Sequence, residues 1–135
     1  MERPPFDNLF HTKMSVEDVE FLTFEKGNVI IRTIVHEDDL NPYDVAHGGY
    51  LFTLCDDVAG LVGYTTGDHV VTQNASISFI ASAPKAETII IEGKIVHEGR
   101  YSRLVDVTVK NPEGKLFCKA SFTMFPVKKI EAENI

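Results

Sequence analysis

The chain has 135 residues, of which 44% are hydrophobic, and a formal net charge of −7. The length predicts one domain, residues 1–135, and the hydrophobic share excludes a disordered chain. The excess of acidic residues argues against a nucleic-acid partner, because phosphate binding needs a basic face. No apolar run approaches the roughly 20 residues of a membrane helix, and the N-terminus lacks the apolar core of a signal peptide. We therefore predict a cytoplasmic protein without membrane contact, in which Cys55 and Cys118 are small buried residues rather than a CxxC pair.

The chain is predicted to begin with a polar extension and a β-hairpin. Residues 1–14 are polar and interrupted by prolines, and form the predicted N-terminal extension. Residues 15–18 fit a helix N-cap or the start of a strand, and both interpretations stay open. Residues 21–25 and 28–35 have the composition of strands, and the Lys-Gly-Asn sequence between them predicts a tight turn.

A loop and one long helix follow the hairpin. Pro42 prevents a helix from running through the loop, and the pair Gly48 and Gly49 lets the backbone turn with its amides uncovered. The apolar positions after this pair recur at helical spacing: Leu51, Leu54, Cys55, Val58, Leu61 and Val62. Asp56 and Asp57 lie towards the other side of the predicted helix, which ends within residues 65–68. Carboxylates on a largely apolar helix are costly if buried without partners, so their presence is the first indication of function.

The second half of the chain is predicted to consist almost entirely of strands. The predicted strands are residues 70–80, 87–98, 103–110 and 116–127, and a polar tail covers residues 128–135. We therefore predict an α+β fold in which one long helix is wrapped by a curved antiparallel sheet of about six strands. A second copy of the chain is expected to cover the free sheet edge and the polar side of the helix.

The start of the helix is a candidate site for a carbonyl substrate. The amides of Gly48 and Gly49 carry partial positive charge there and are suited to hold an oxyanion. Asp56 is the candidate general base or nucleophile, but it lies eight residues beyond Gly48. At 1.5 Å per residue this separation is roughly 12 Å, too far for both groups to reach one atom. A dimer would unite Gly48 of one chain with Asp56 of the other, which predicts two composite sites.

The motif around these residues resembles the hotdog-fold acyl-CoA thioesterases, specifically the PaaI-like branch. The resemblance rests on the sequence His-Gly-Gly at residues 47–49, with Asp56 nine residues after His47 and Asn41 six before it. Residues 72–79, 97–100 and 114–116 are similar to the family's strand after the helix and to its later turns. The similarity extends over residues 21–125 and implies a hotdog fold and hydrolysis of an acyl-CoA to free acid and CoA.

The resemblance also implies a role for each candidate residue. Asp56 would activate water or attack the thioester, Thr72 would help to position the water, and the Gly48 amide would polarise the carbonyl. The remaining implied residues are Asn41 and His47, which shape that end of the site, Gly49 beside the substrate, and Arg100, Ser102 and Arg103 at the CoA nucleotide. No metal site is expected, because the spacing of His47, Asp56 and Asp57 matches no compact ligand set. No cofactor is expected beyond the CoA of the substrate. The expected assembly is a homodimer, and a tetramer of two such dimers stays open.

Structural interpretations of the same residues stay open. Asp56 also fits a hydrogen-bonded polar residue at a dimer interface, His47 a helix cap, and Asn41 a loop residue bonded to its own backbone. Asp57 points about 100° away from Asp56 around the helix, which favours a structural or solvent-facing role. Arg100 and Arg103 fit a solvated turn equally well.

Two other functions fit the same fold. A hotdog hydratase or dehydratase would have a histidine where this chain has Asp44. A non-catalytic acyl-CoA-binding dimer would bind the ester without turnover. The acyl group is left open by the sequence, although the aromatic residues Tyr50, Phe52, Tyr64 and Phe79 are candidates for an apolar pocket.

Overall fold

The computed structural model describes residues 18–131. Its elements are strands β1 (Glu20–Glu25) and β2 (Asn28–Ile34), a 3₁₀ turn (Glu37–Asp39), helix α1 (Gly48–Tyr64), and strands β3 (Asp68–Phe79), β4 (Thr88–Glu98), β5 (Arg103–Lys110) and β6 (Leu116–Lys129). The predicted extension, residues 1–14, lies outside the described residues. Strand β6 runs two residues into the predicted tail: Lys128 and Lys129 pair with the beginning of β3.

The six strands form one antiparallel sheet in the order β1-β2-β4-β5-β6-β3. The strands alternate between inward and outward residues, most clearly in β5, where Arg103, Val105, Val107 and Val109 are buried. The sheet curves around α1, which confirms the predicted fold class. Strand β3 has 12 residues and is an edge strand, paired on one side with β6 within the described chain.

Helix α1 packs its apolar stripe on the concave face of the sheet. Leu54, Cys55, Val58 and Val62 have no exposed surface. The helix comes so close to β4 that a Cβ at Gly93 would lie 2.7 Å from the Val58 Cγ1 atom. Glycine at this position is therefore what allows the helix to pack on the sheet.

The two cysteines meet in this core. Cys55 on α1 and Cys118 on β6 are both buried free thiols. A hydrogen bond with Cys118, together with burial, raises the pKa of the Cys55 thiol. Cys55 therefore remains a neutral thiol, and the prediction that both cysteines are small buried residues is confirmed.

Candidate active site

The N-terminus of α1 presents an uncovered amide. His47 is the N-cap, and its Nδ1 atom accepts a hydrogen bond from the Gly49 amide at 2.9 Å. Gly48 is the first helical residue, and among residues 18–131 its amide has no acceptor. The first N–H groups of a helix carry partial positive charge, so the Gly48 amide is the donor available to an anionic oxygen. The Gly49 amide already donates to the Nδ1 atom of His47.

The loop before the helix is held by hydrogen bonds of its own backbone and of Asn41. The Asn41 Oδ1 atom accepts from the amide of Tyr43 at 2.8 Å and from that of Val45 at 3.4 Å. The Asn41 amide in turn donates to the Val45 carbonyl at 2.8 Å. The side-chain oxygen of Asn41 thus shapes the loop that leads to His47, as an Asx turn does.

Asp56 and Thr72 are in direct contact. Gly48 lies near Phe79 and Gly63 near Val70, so helix α1 and strand β3 run antiparallel and the middle of the helix faces the first half of the strand. The Thr72 hydroxyl donates to the Asp56 Oδ1 atom at 2.5 Å, between two residues that are not buried. The strand has a register shift between Thr72 and Asn74. A carboxylate fixed by a hydroxyl donor and still open to solvent is suited to take a proton from water or to attack a carbonyl.

The two halves of the predicted site do not meet within one chain. Gly48 lies at the far end of β3, where a Cβ built on it would be 3.2 Å from the Phe79 Cζ atom. Asp56 lies against Thr72, seven residues earlier in the strand. The helical separation of roughly 12 Å between Gly48 and Asp56 therefore persists in the folded chain.

The three residues predicted for the CoA nucleotide have different environments. Ser102 is half-buried, and its carbonyl accepts the Gly99 amide at 2.8 Å. Arg100 is exposed, with its guanidinium carbon 5.4 Å from the centre of the Tyr101 ring. Arg103 is 6% exposed and donates hydrogen bonds within its own chain: to the Asp68 carboxylate at 2.5 Å, to the Thr66 hydroxyl at 3.0 Å and to the Gly99 carbonyl. Arg103 is therefore not part of a solvated turn but joins the turn to the start of β3.

This turn borders a cleft with further basic groups. The cleft has a volume of about 580 Å³ and is lined by Asp68, Glu98, Gly99, Arg100, Arg103, Pro126, Lys128 and Lys129. Of its two carboxylates, Asp68 is paired with Arg103 and Glu98 lies 3.8 Å from Lys26. Arg100, Lys128 and Lys129 are exposed, so the net charge at the cleft is positive. The sequence interpretation missed both lysines because it ended the last strand at residue 127.

The aromatic residues predicted to line a pocket lie at different ends of the helix. Phe79 is 54% exposed beside Gly48, and Phe52 stacks on Phe122 with ring centres 5.6 Å apart. Tyr64 is buried at the opposite end of the helix, against the His69 ring. Tyr50 also lies on the Gly48 half of the helix, where its hydroxyl donates to the Ile34 carbonyl at 3.3 Å. Phe79 and Phe52 remain candidates to contact an acyl group.

Residues 43–118 match the family model described as Thioesterase superfamily. This segment contains the helix, the cap and Asp56 and makes up more than half of the chain. The chain belongs to the thioesterase superfamily. The predicted resemblance to hotdog-fold, PaaI-like thioesterases is thereby confirmed at the level of the family.

Solved structures resemble the thioesterase over most of its length. A Streptococcus mutans protein bound to acetyl CoA is 45% identical, covers 85% of this chain and 93% of its own, and superposes with a TM-score of 0.83. A hypothetical thioesterase of Streptococcus pneumoniae with coenzyme A is 38% identical, covers 93% and 99%, and has a TM-score of 0.89. Two mutant structures of the latter carry an aspartate-to-alanine and a threonine-to-alanine change 16 positions apart, the spacing of Asp56 and Thr72.

The chain is also similar to a curated thioesterase of the PaaI type. The acyl-coenzyme A thioesterase PaaI of Escherichia coli is 22% identical over 97 residues, which are 72% of this chain and 69% of that protein.

Within residues 18–131, no helix combines the length and the apolarity that crossing a membrane would require.

Proposed function

We propose that this thioesterase hydrolyses acyl-CoA thioesters to the free acid and CoA. The observation that carries the proposal is the contact between Thr72 and Asp56, 2.5 Å long and open to solvent, on a helix whose first amide is uncovered. The acetyl CoA and coenzyme A bound to the two streptococcal relatives support CoA esters as the substrate class.

Asp56 acts on the thioester as general base or as nucleophile. As a base, the carboxylate takes a proton from water, the oxygen of which attacks the carbonyl carbon; the C–S bond then breaks and the thiolate leaves with a proton. As a nucleophile, the carboxylate itself attacks the carbonyl carbon, the C–S bond breaks, and the CoA thiolate leaves. Water then hydrolyses the resulting mixed anhydride to the free acid and the Asp56 carboxylate. In both routes Thr72 holds the carboxylate, and the Gly48 amide stabilises the negative oxygen that forms on the carbonyl.

The catalytic unit is a homodimer. Asp56 and Gly48 are too far apart along one helix to act on one atom. Among the strands of residues 18–131, β3 has one edge without a partner, and this edge lies beside them. Pairing two chains along this edge brings the helices side by side in opposite directions. Each site then combines Asp56 and Thr72 of one chain with Gly48, His47 and Asn41 of the other. Association of two such dimers into a tetramer stays a prediction.

The basic cleft receives the phosphates of CoA. Arg100, Lys128 and Lys129 supply exposed cations there, and hydrogen bonds between cations and phosphate are among the strongest in proteins. Ser102 belongs to the same turn, and Arg103 holds that turn against β3 through Asp68. The reaction needs only water and the groups named here, so no cofactor or metal is proposed. The cytoplasmic location stays a prediction.

Thiol release from a panel of aryl-, short-chain and medium-chain acyl-CoAs tests the activity. The wild type is expected to hydrolyse at least one ester, and Asp56→Ala is expected to be inactive while folded. Asp57→Asn, one residue further along the same helix, is the matched control and is expected to keep its activity. Turnover by Asp56→Ala at the wild-type rate would refute the role of Asp56. Tight binding of every ester without turnover would favour the non-catalytic alternative.

A truncated substrate tests the cleft separately. Acyl-pantetheine carries the same thioester but lacks the nucleotide and its phosphates. The double variant Lys128→Ala, Lys129→Ala is expected to raise KM for acyl-CoA and to leave KM for acyl-pantetheine unchanged. Only acyl-CoA carries the phosphates that the two lysines bind. Equal KM changes for both substrates would exclude the cleft as the phosphate site.

A further inference from the structure

A polar cluster beneath the start of α1 has no part in the chemistry described above. Its members are His36 and Asp39 at the 3₁₀ turn and Tyr50 in the first turn of the helix. The Asp39 carboxylate accepts the His36 amide at 3.0 Å and lies 3.4 Å from His36 Nδ1. Its side chain is only 22% exposed, so the carboxylate is held in one place. On its far side, His36 Nε2 lies 3.3 Å from the Asp18 carboxylate.

The main chain of Asp39 makes contact with the helix cap. The Asp39 carbonyl accepts the His47 amide at 2.8 Å. A bridge between Leu40 and Ala46 closes the loop above this bond. The residue whose amide is held by Asp39 is therefore His47, and the peptide that follows His47 carries the Gly48 amide.

Tyr50 fixes the helix from the other direction. Its hydroxyl donates to the Ile34 carbonyl at the end of β2, at 3.3 Å. The phenol also faces the Asp39 carboxylate; burial and then this charge raise the pKa of Tyr50. The phenol therefore stays protonated at neutral pH and remains a donor. The cluster thus ties the 3₁₀ turn, the end of β2 and the first turn of α1 together around one carboxylate.

We propose that Asp39 is a positioning residue that orients the Gly48 amide for the oxyanion. Its carboxylate anchors the turn and its carbonyl anchors the cap, so the two together set the direction of the donor. Such preorganisation lowers the barrier when negative charge forms on the substrate. Displacing the donor therefore weakens binding of the transition state more than binding of the ester. This inference rests on the proposed function of Gly48.

Steady-state thiol release by the full chain tests the role of Asp39. Asp39→Ala is expected to lower kcat on the order of tenfold, with KM within about twofold of the wild type, because the donor is displaced rather than removed. Asp39→Asn retains an oxygen that can accept the His36 amide, and is expected to restore most of the lost kcat. The matched control is Asp38→Ala, an exposed residue of the same turn, which is expected to behave as the wild type.

Three results would overturn the proposal: an unchanged kcat in Asp39→Ala, a loss confined to KM, or a loss that Asp39→Asn does not relieve. If Asp39→Ala does not fold, Asp39→Asn and Tyr50→Phe carry the test, and kcat must fall in Tyr50→Phe with KM unchanged. If the wild type hydrolyses no thioester, the proposed function fails, and amide hydrogen exchange decides the positioning role by itself. Faster exchange at His47 and Gly49 in Asp39→Ala than in Asp38→Ala supports the role, and equal rates refute it.

Discussion

Replacing Gly48 with proline would remove one hydrogen-bond donor from the proposed oxyanion site. Gly48 is the first residue of α1, the helical position at which proline is best tolerated because its missing N–H has no partner within the helix. The preceding residue must be extended, and His47 already has φ −63° and ψ 137°. The helix is therefore expected to form in Gly48→Pro, with the amide donor alone deleted.

The size of the effect follows from what one oxyanion donor contributes. Deleting such a donor typically lowers kcat by about 10²–10³, so this loss is expected for Gly48→Pro at nearly unchanged KM. A side chain at this position also approaches Phe79, with the new Cβ 3.2 Å from the ring. Gly48→Ala adds the same Cβ but keeps the N–H, and is the matched control for crowding.

Thiol release by the two variants, with circular dichroism to confirm the helix, separates the donor from the crowding. The account predicts a small loss of kcat for Gly48→Ala and a much larger one for Gly48→Pro. Equal rates in the two variants, with both folded, would refute the assignment of the Gly48 amide.

Three further predictions concern the contacts described above. Thr72→Val is expected to lower kcat roughly tenfold, because a hydrogen bond to an exposed carboxylate contributes about 1.5 kcal/mol. Thr72→Ser keeps the hydroxyl and is expected to have a kcat near that of the wild type. Equal rates of thiol release by Thr72→Val and the wild type would contradict this. Gly93→Ala is expected to lower the free energy of unfolding by about 1–3 kcal/mol in urea titrations, since the new Cβ overlaps Val58. Because the pKa of Tyr50 is raised on folding, its contribution to stability is complete below pH 10 and falls above it, where tyrosine ionises in the unfolded chain. Between pH 9 and pH 11, the free energy of unfolding measured in urea titrations should therefore fall more for the wild type than for Tyr50→Phe. An equal fall in both proteins would refute this.

Local patterns were sufficient to predict the helix and the strands. Leu54, Val58 and Val62 recur at helical spacing because they face the sheet, and Val105 and Val107 alternate because they face the helix. Both patterns are caused by burial of one face, so they are visible in the sequence. The helix begins at Gly48, within the predicted region, since the cap and the first turn are local features.

Contacts between distant segments could not be predicted in the same way. Arg103 was predicted to lie at the CoA nucleotide or in a solvated turn, whereas it is buried in β5 and its partner Asp68 lies 35 residues away. Lys128 and Lys129 continue β6 where no buried face remains to impose a pattern. The bond between the Asp39 carbonyl and the His47 amide involves main-chain atoms, which leave no trace in the residue types.

The central claim is that each active site combines residues from two chains. The most direct test is to unfold Asp56→Ala and Gly48→Pro together at equal concentration, refold them, and measure thiol release. A mixed dimer has one site with both Asp56 and Gly48 intact, and random pairing gives about a quarter of the wild-type activity from two nearly inactive proteins. If each site lies within one chain, no mixed dimer contains an intact site. Activity that stays at the level of the separate variants would then contradict the account.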